Sequence, residues 1–217
     1  MPDLTFAVEG VEVVEFVAVP TLAFQVRVTN LDPEEEIHTV VLRCQIQLDA
    51  VRRRYTSEEQ ERLVELFGEP ARWGSSLRST LWTHTTLVVP PFHGTTVVSM
   101  PVPCSFDFSV AATKYFAGLQ TGDVPLLFLF SGTTFYAAAD GVLQVAPISW
   151  DREARFRLLV DLWKRMMDTY YPNSVWLRVS RDLFDELSRY KVSKGLAGWD
   201  QVLESFLAES RDTLVKA

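Results

Sequence analysis

Cysteine and histidine are scarce. The 217 residues hold two cysteines, Cys44 and Cys104, and three histidines, His38, His84 and His93. Two cysteines cannot make a disulfide scaffold. Both fall in apolar, strand-like runs, so they read as free buried thiols of a reducing compartment. Nucleophilic catalysis needs an activated Ser or Cys beside a base, and there are few bases here. No Gly-x-Ser-x-Gly elbow occurs; the nearest string, Phe130-Ser131-Gly132, lacks the first glycine. Ten glycines are scattered, with neither dinucleotide nor P-loop spacing, which removes the standard phosphate cradles. The most apolar run, Val124 to Phe130, is far short of the ~20 residues that span a bilayer. The start, Met1-Pro2-Asp3-Leu4, lacks the basic and apolar regions of a signal peptide. The expectation is a cytoplasmic protein with no membrane insertion. A surplus of positive charge is lacking too: 21 Lys and Arg face 28 Asp and Glu, a net charge of −7.

The acidity is local. Residues 1–50 carry nine acids against Arg27 and Arg43, while the remaining 167 residues balance. An acidic end repels phosphate backbones, so nucleic acid is not an expected partner. The single basic run, Arg52-Arg53-Arg54, is followed by Glu58, Glu59 and Glu61. It reads as a solvated strand end paired with acids on the next helix. With 47% apolar and 12% aromatic residues, the chain is globular in composition and long enough for a sizeable core.

The first two thirds read as strands. In Leu22 to Asn30, Leu22, Phe24, Val26 and Val28 alternate with Gln25, Arg27 and Thr29; Ile37 to Leu48 alternates likewise and places Cys44 on its dry face. Thr5 to Val19, Leu81 to Val89, Thr95 to Met100, Cys104 to Phe108 and Val124 to Tyr136 are further strands. Asp140-Gly141 predicts a hairpin between Val124–Tyr136 and a returning strand over 142–148. One helix interrupts near 57–67, with Ser57 and Gln60 as its capping box; Val110 to Leu119 suits a short helix. After Ser149 the period changes. Phe156, Leu159, Val160, Trp163, Met167 and Tyr170 fall at helical spacing. Val175 to Val179 suits a brief strand, Ser180 caps a second helix with Leu183, Phe184 and Leu187 inward, and Trp199 begins a third. The expected fold class is α+β: an antiparallel β-sandwich over residues 1–148 and a helical segment of about three helices over 149–217, packed on it.

Candidate sites are few. His84, His93, Cys104 and Asp107 lie within 24 residues, yet their spacing matches no zinc pattern, so they read as strand-end imidazoles and a core thiol. No cofactor and no catalytic residue are expected. Of six tryptophans, Trp163 and Trp199 lie on helical stripes and read as core. Trp150 and Trp176 flank the first C-terminal helix and its following segment, and with Glu34, Glu35 and Glu36 they are the candidate interaction surface.

Four strings carry a resemblance: Leu4-Thr5-Phe6-Ala7-Val8, Phe24-Gln25-Val26-Arg27-Val28, Trp82 through Pro91, and Tyr171 through Arg178. With them the whole chain resembles an actinobacterial domain family of unknown function associated with gene clusters of high-affinity uptake [NiFe] hydrogenases. The resemblance implies an accessory role beside a redox complex and supplies no catalytic residues. The strand Phe24 to Asn30 also resembles the Phe-x-Val-x-Val-x-Asn style of immunoglobulin-like sandwich strands. The expected function is that of a non-enzymatic accessory or interaction protein with a protein partner. The alternative, from another class, is a small-ligand or metal-binding protein using the sandwich interior or the sheet–helix cleft, with His84, His93 and Cys104 as the discriminating group.

Overall fold

Alternation at period two builds the first sheet. Strand β2 (Thr21–Asn30) buries Leu22, Phe24, Val26 and Val28 and turns Gln25, Arg27 and Thr29 the other way. It is flanked by β1 (Leu4–Val13) and β5 (Thr95–Pro103), both antiparallel to it. The second sheet is built on β3 (Ile37–Leu48), which buries Val40, Leu42, Cys44, Ile46 and Leu48, the dry face its sequence predicts. Strand β4 (Thr80–Val89) pairs with one edge of β3, and β6 (Asp123–Ala137) with the other. The free edge of β6 is shared end to end by β7 (Leu143–Pro147) and β8 (Glu153–Leu159), again antiparallel. In this computed structural model, residues 2–105, 110–138, 141–175 and 177–215 are described. The predicted hairpin is thus seen as the β6–β7 pairing, while Ala139 and Asp140 of its turn, like Phe106, Asp107 and Phe108, lie outside the described residues.

The two sheets meet through rings. Phe6 of β1 stacks on Phe130 of β6 at 4.5 Å, and Phe24 of β2 meets Phe128, Phe156 and Trp82 edge-on at 5.2, 5.9 and 6.4 Å. Each such pair adds about 0.5–1.5 kcal/mol beyond the apolar area it removes from water. Three short helices, α1 (Ser57–Arg62), α2 (Val64–Phe67) and α3 (Trp73–Ser76), lie between β3 and β4. Helix α4 (Val110–Gly118) precedes β6, and α5 (Val160–Tyr170) follows β8. Phe116 of α4 stacks on Trp163 of α5 at 4.8 Å and meets Trp82 at 5.6 Å, so both helices join the same core.

Several elements differ from expectation, each for a local reason. Residues 153–159 form strand β8 rather than the start of a helix. Ala154, Phe156 and Leu158 alternate with Glu153, Arg155 and Arg157, and the Asp123–Leu129 half of β6 has backbone groups that β7 does not reach. The helix near 57–67 is broken at Leu63, and its cap is Thr56, not Ser57. The Thr56 hydroxyl accepts from the Glu59 N–H while Glu59 accepts from the Thr56 N–H. Residues 69–78, read as irregular, contain a 3-10 turn at Pro70–Arg72 and then α3.

The chain divides into two units, Met1–Ser174 and Val175–Ala217, so β8 and α5 belong with the sheets rather than with the C-terminal helices. In the second unit the described residues of 175–179 form no strand. Helix α6 (Arg181–Ser193) begins at Ser180, whose hydroxyl accepts from the Leu183 N–H, the predicted cap. It pairs with α7 (Trp199–Val215) through Phe184 on Trp199 (5.2 Å) and Tyr190 on Phe206 (4.7 Å). Trp199 is half exposed rather than core. Among the described residues no helix is long and apolar enough to cross a membrane.

Candidate functional site

The sequence offers three metal-ligand candidates, and the structure spreads them out. His84 is exposed on β4 opposite Gln45, and His93 is exposed in the β4–β5 connection beside Gly94. Cys104 is buried past the end of β5, where its N–H donates to the Pro20 carbonyl and its thiol to the Val102 carbonyl. Among the described residues no group of three or more His, Cys, Asp or Glu is placed to hold a metal ion. Burial pushes both thiols up to about 12, against a small pull from one backbone hydrogen bond each, so both stay protonated at neutral pH. Native protein is therefore expected to react with a disulfide reagent over hours and to release two equivalents at once in denaturant. A thiol that titrates within seconds in native buffer would contradict this placement.

The basic run does pair with an acid of the next helix, as the sequence predicts, but the pair is buried rather than solvated. Arg53 meets Glu59 of α1; their side chains are 8% and 3% exposed and 2.6 Å apart. The guanidinium also donates to the carbonyls of Thr121 (2.8 Å) and Asp123 (3.0 Å) and lies 5.5 Å from the Tyr55 ring centroid. Its Nε has no hydrogen-bond partner. Glu59 accepts from the N–H groups of Gln120 (2.8 Å) and Thr56 (3.1 Å). Burial alone would push its carboxyl up; the Gln120 N–H, Arg53 and the Thr56 N–H outweigh that and hold it below the ordinary value. Beside it, the Tyr55 and Tyr115 hydroxyls share a 2.9 Å hydrogen bond, and Tyr55 also donates to the Ala50 carbonyl. Burial raises both phenols, so they remain neutral. The adjoining cleft, about 100 Å³, is walled by Leu48, Leu66, Phe67 and Tyr115, and is too small and apolar for most metabolites. The remaining hydrogen bonds of Arg53 and Glu59 go to local backbone, which makes the pair a clamp joining the loop after β3, α1 and the loop before β6. The signal in the sequence was the Thr56…Glu59 spacing three residues after Arg53.

The turns that carry Trp150 and the three glutamates are tied together. Asn30 donates to Glu35 (3.1 Å) and accepts from the Asp3 N–H (3.2 Å), and the Asp3 carboxylate pairs with Arg152. Those links join the acidic turn, where Glu34 and Glu36 are exposed, to the turn that carries Trp150. Each turn borders an open groove. One, about 230 Å³, is lined by Asp3, Leu4, Thr134, Pro147, Ser149 and Arg152. The other, about 520 Å³, is lined by Asp32, Glu34, Glu35, Glu36 and Tyr136. Trp150 is 90% exposed, while Trp73, Trp82 and Trp163 are buried. Its turn is fixed: Ile148 donates to the Gly132 carbonyl (3.0 Å) and Phe130 to the Arg152 carbonyl (2.8 Å). Trp176 lies outside the described residues.

No curated protein sequence matches the chain. Among solved structures it is similar to the CARDB domain of a Pyrococcus furiosus protein in complex with di-metal ions, at 14% identity and a TM-score of 0.29, over 73% of this chain and 87% of that one. A protein identified as late embryogenesis abundant gives 16% identity and a TM-score of 0.31, over 75% of each chain. The ApaA protein of Bordetella pertussis gives 16% and 0.25, over 72% of this chain and 93% of that one. TM-scores this low carry no argument about fold or ligand. A sequence-family match, by contrast, covers residues 1–214, and the chain belongs to that family, a family of unknown function (DUF6084).

Proposed function

We propose that this chain is a non-enzymatic accessory protein that binds another protein through an anchor at Trp150. The observation that carries the reading is a tryptophan 90% exposed on a turn whose backbone and flanking Arg152 are pinned on both sides. Tryptophan removes a large apolar area from water when covered, and a fixed turn has little freedom left to lose on binding. The neighbouring acidic turn favours a partner with a basic rim, whose encounter slows as salt screens the charges. The resemblance to an actinobacterial family encoded beside uptake [NiFe] hydrogenases points to a redox complex as the partner to try first. The sheet orders β1-β2-β5 and β4-β3-β6-β7 support reading the fold as an immunoglobulin-like sandwich, since they follow A-B-E and C′-C-F-G. A metal site built from His84, His93 and Cys104 would need them at one point, whereas two lie at the surface and one in the core.

The test is affinity capture from the source organism with the wild-type chain and Trp150→Ala. A partner kept by wild type and lost or weakened about tenfold or more by the variant is the expected result. Trp150→Ala should melt within a degree or two of wild type, because the ring packs on little. Capture of no stable partner, or of one indifferent to Trp150, would sink the reading.

A further inference from the structure

The β1–β2 turn carries a further exposed aromatic. Phe16 is fully exposed and holds φ at +59°, a left-handed backbone that bulky residues avoid. A buried ring could repay that conformation; this one stands fully exposed at the edge of a groove. Beside it runs an open groove of about 510 Å³, floored by Val13, Leu162, Met166 and Tyr170, with Val17 at its rim. The groove is fixed to the turn by the Tyr170 hydroxyl, which donates to the Val14 carbonyl (3.2 Å). Glu15 and Arg165 also line it, and neither has an ion-pair partner among the described residues.

We infer that this face binds a second copy of the chain about a two-fold axis. A two-fold interface presents the same patch from both sides, so a patch must complement itself. This one holds both halves of each contact: a projecting ring with an apolar groove, and an unpaired acid with an unpaired base. In the dimer Phe16 of each copy enters the partner's groove, and Glu15 of each faces the partner's Arg165. Burial of the ring then offsets the backbone strain.

The test is sedimentation velocity on the full chain from micromolar to near-millimolar concentration. Wild type is expected to dimerise as concentration rises. Phe16→Asp should weaken the dimer at least tenfold. Glu15→Lys and Arg165→Glu should each weaken it, because each sets like charges across the axis, and the double exchange should restore much of the loss. Phe16→Gly separates this role from a folding role: it relaxes the backbone, so the monomer should melt higher while the dimer weakens. A wild-type chain that stays monomeric throughout overturns the inference. So does a dimer indifferent to Phe16, or a double exchange that fails to recover.

Discussion

Gly132→Ala is expected to lose about 4 kcal/mol or more, enough to leave most of the protein unfolded or insoluble. A methyl group placed there would sit 2.0 Å from the Val41 carbonyl oxygen and 3.3 Å from the Leu42 Cα. Both belong to β3, the central partner of β6, so neither can move without breaking the ladder. The backbone adds to the cost, because φ at +142° is essentially a glycine conformation. Gly74→Ala is the control: nothing lies within 4 Å of its added methyl, and it should be near neutral. Urea denaturation of both variants checks this. A Gly132→Ala protein that melts within a few degrees of wild type would mean that β6 does not pass β3 as described. The same glycine ends the string that most resembled a nucleophile elbow, and its place in the ladder explains it without chemistry.

Breaking the Arg53–Glu59 pair should cost about 3–5 kcal/mol, because removing one partner strands the other charge in the interior. In Arg53→Met the Glu59 carboxylate keeps the N–H groups of Gln120 and Thr56 but loses its counter-charge. In Glu59→Ala the guanidinium keeps two carbonyls, and helix α1 loses its capping box as well. The pH dependence separates this pair from ordinary packing. Glu59 has a folded-state value below its unfolded one, so its contribution is full above the unfolded value, 4.5, and is lost as pH falls through the folded value. Arg53→Met removes one of the forces opposing burial, so the variant's stability should fall less steeply on acidification. Urea midpoints taken between about pH 3 and 7 measure this. Equal acid slopes in the variant and wild type would show that the pair is solvated.

Helices and strands differ in how far their signals reach along the chain. The face of β2, the dry side of β3 with Cys44, the β6–β7 pairing and the Ser180 cap were all legible, because each is written in residues two to four apart. Residues 153–159 satisfied both periods at once. The decision for strand came from an unpaired edge of β6, some thirty residues away in sequence. The capping box falls at Thr56–Glu59 rather than Ser57–Gln60, where Arg53 and the Gln120 N–H also hold Glu59.

The candidate site divides in the same way. Sequence alone determined that the chain is acidic at its start, thiol-poor, built of alternating strands and short of catalytic motifs, because composition and period are properties of neighbours. Tertiary structure alone decided that His84, His93 and Cys104 stand apart, that Arg53 is inside, and that the turns of Glu35 and Trp150 are tied through Asn30, Asp3 and Arg152. It also decided that Phe16 is left uncovered. Burial and convergence depend on which distant segments pair, and a side chain's neighbours in space are fixed only when the sheets close on each other.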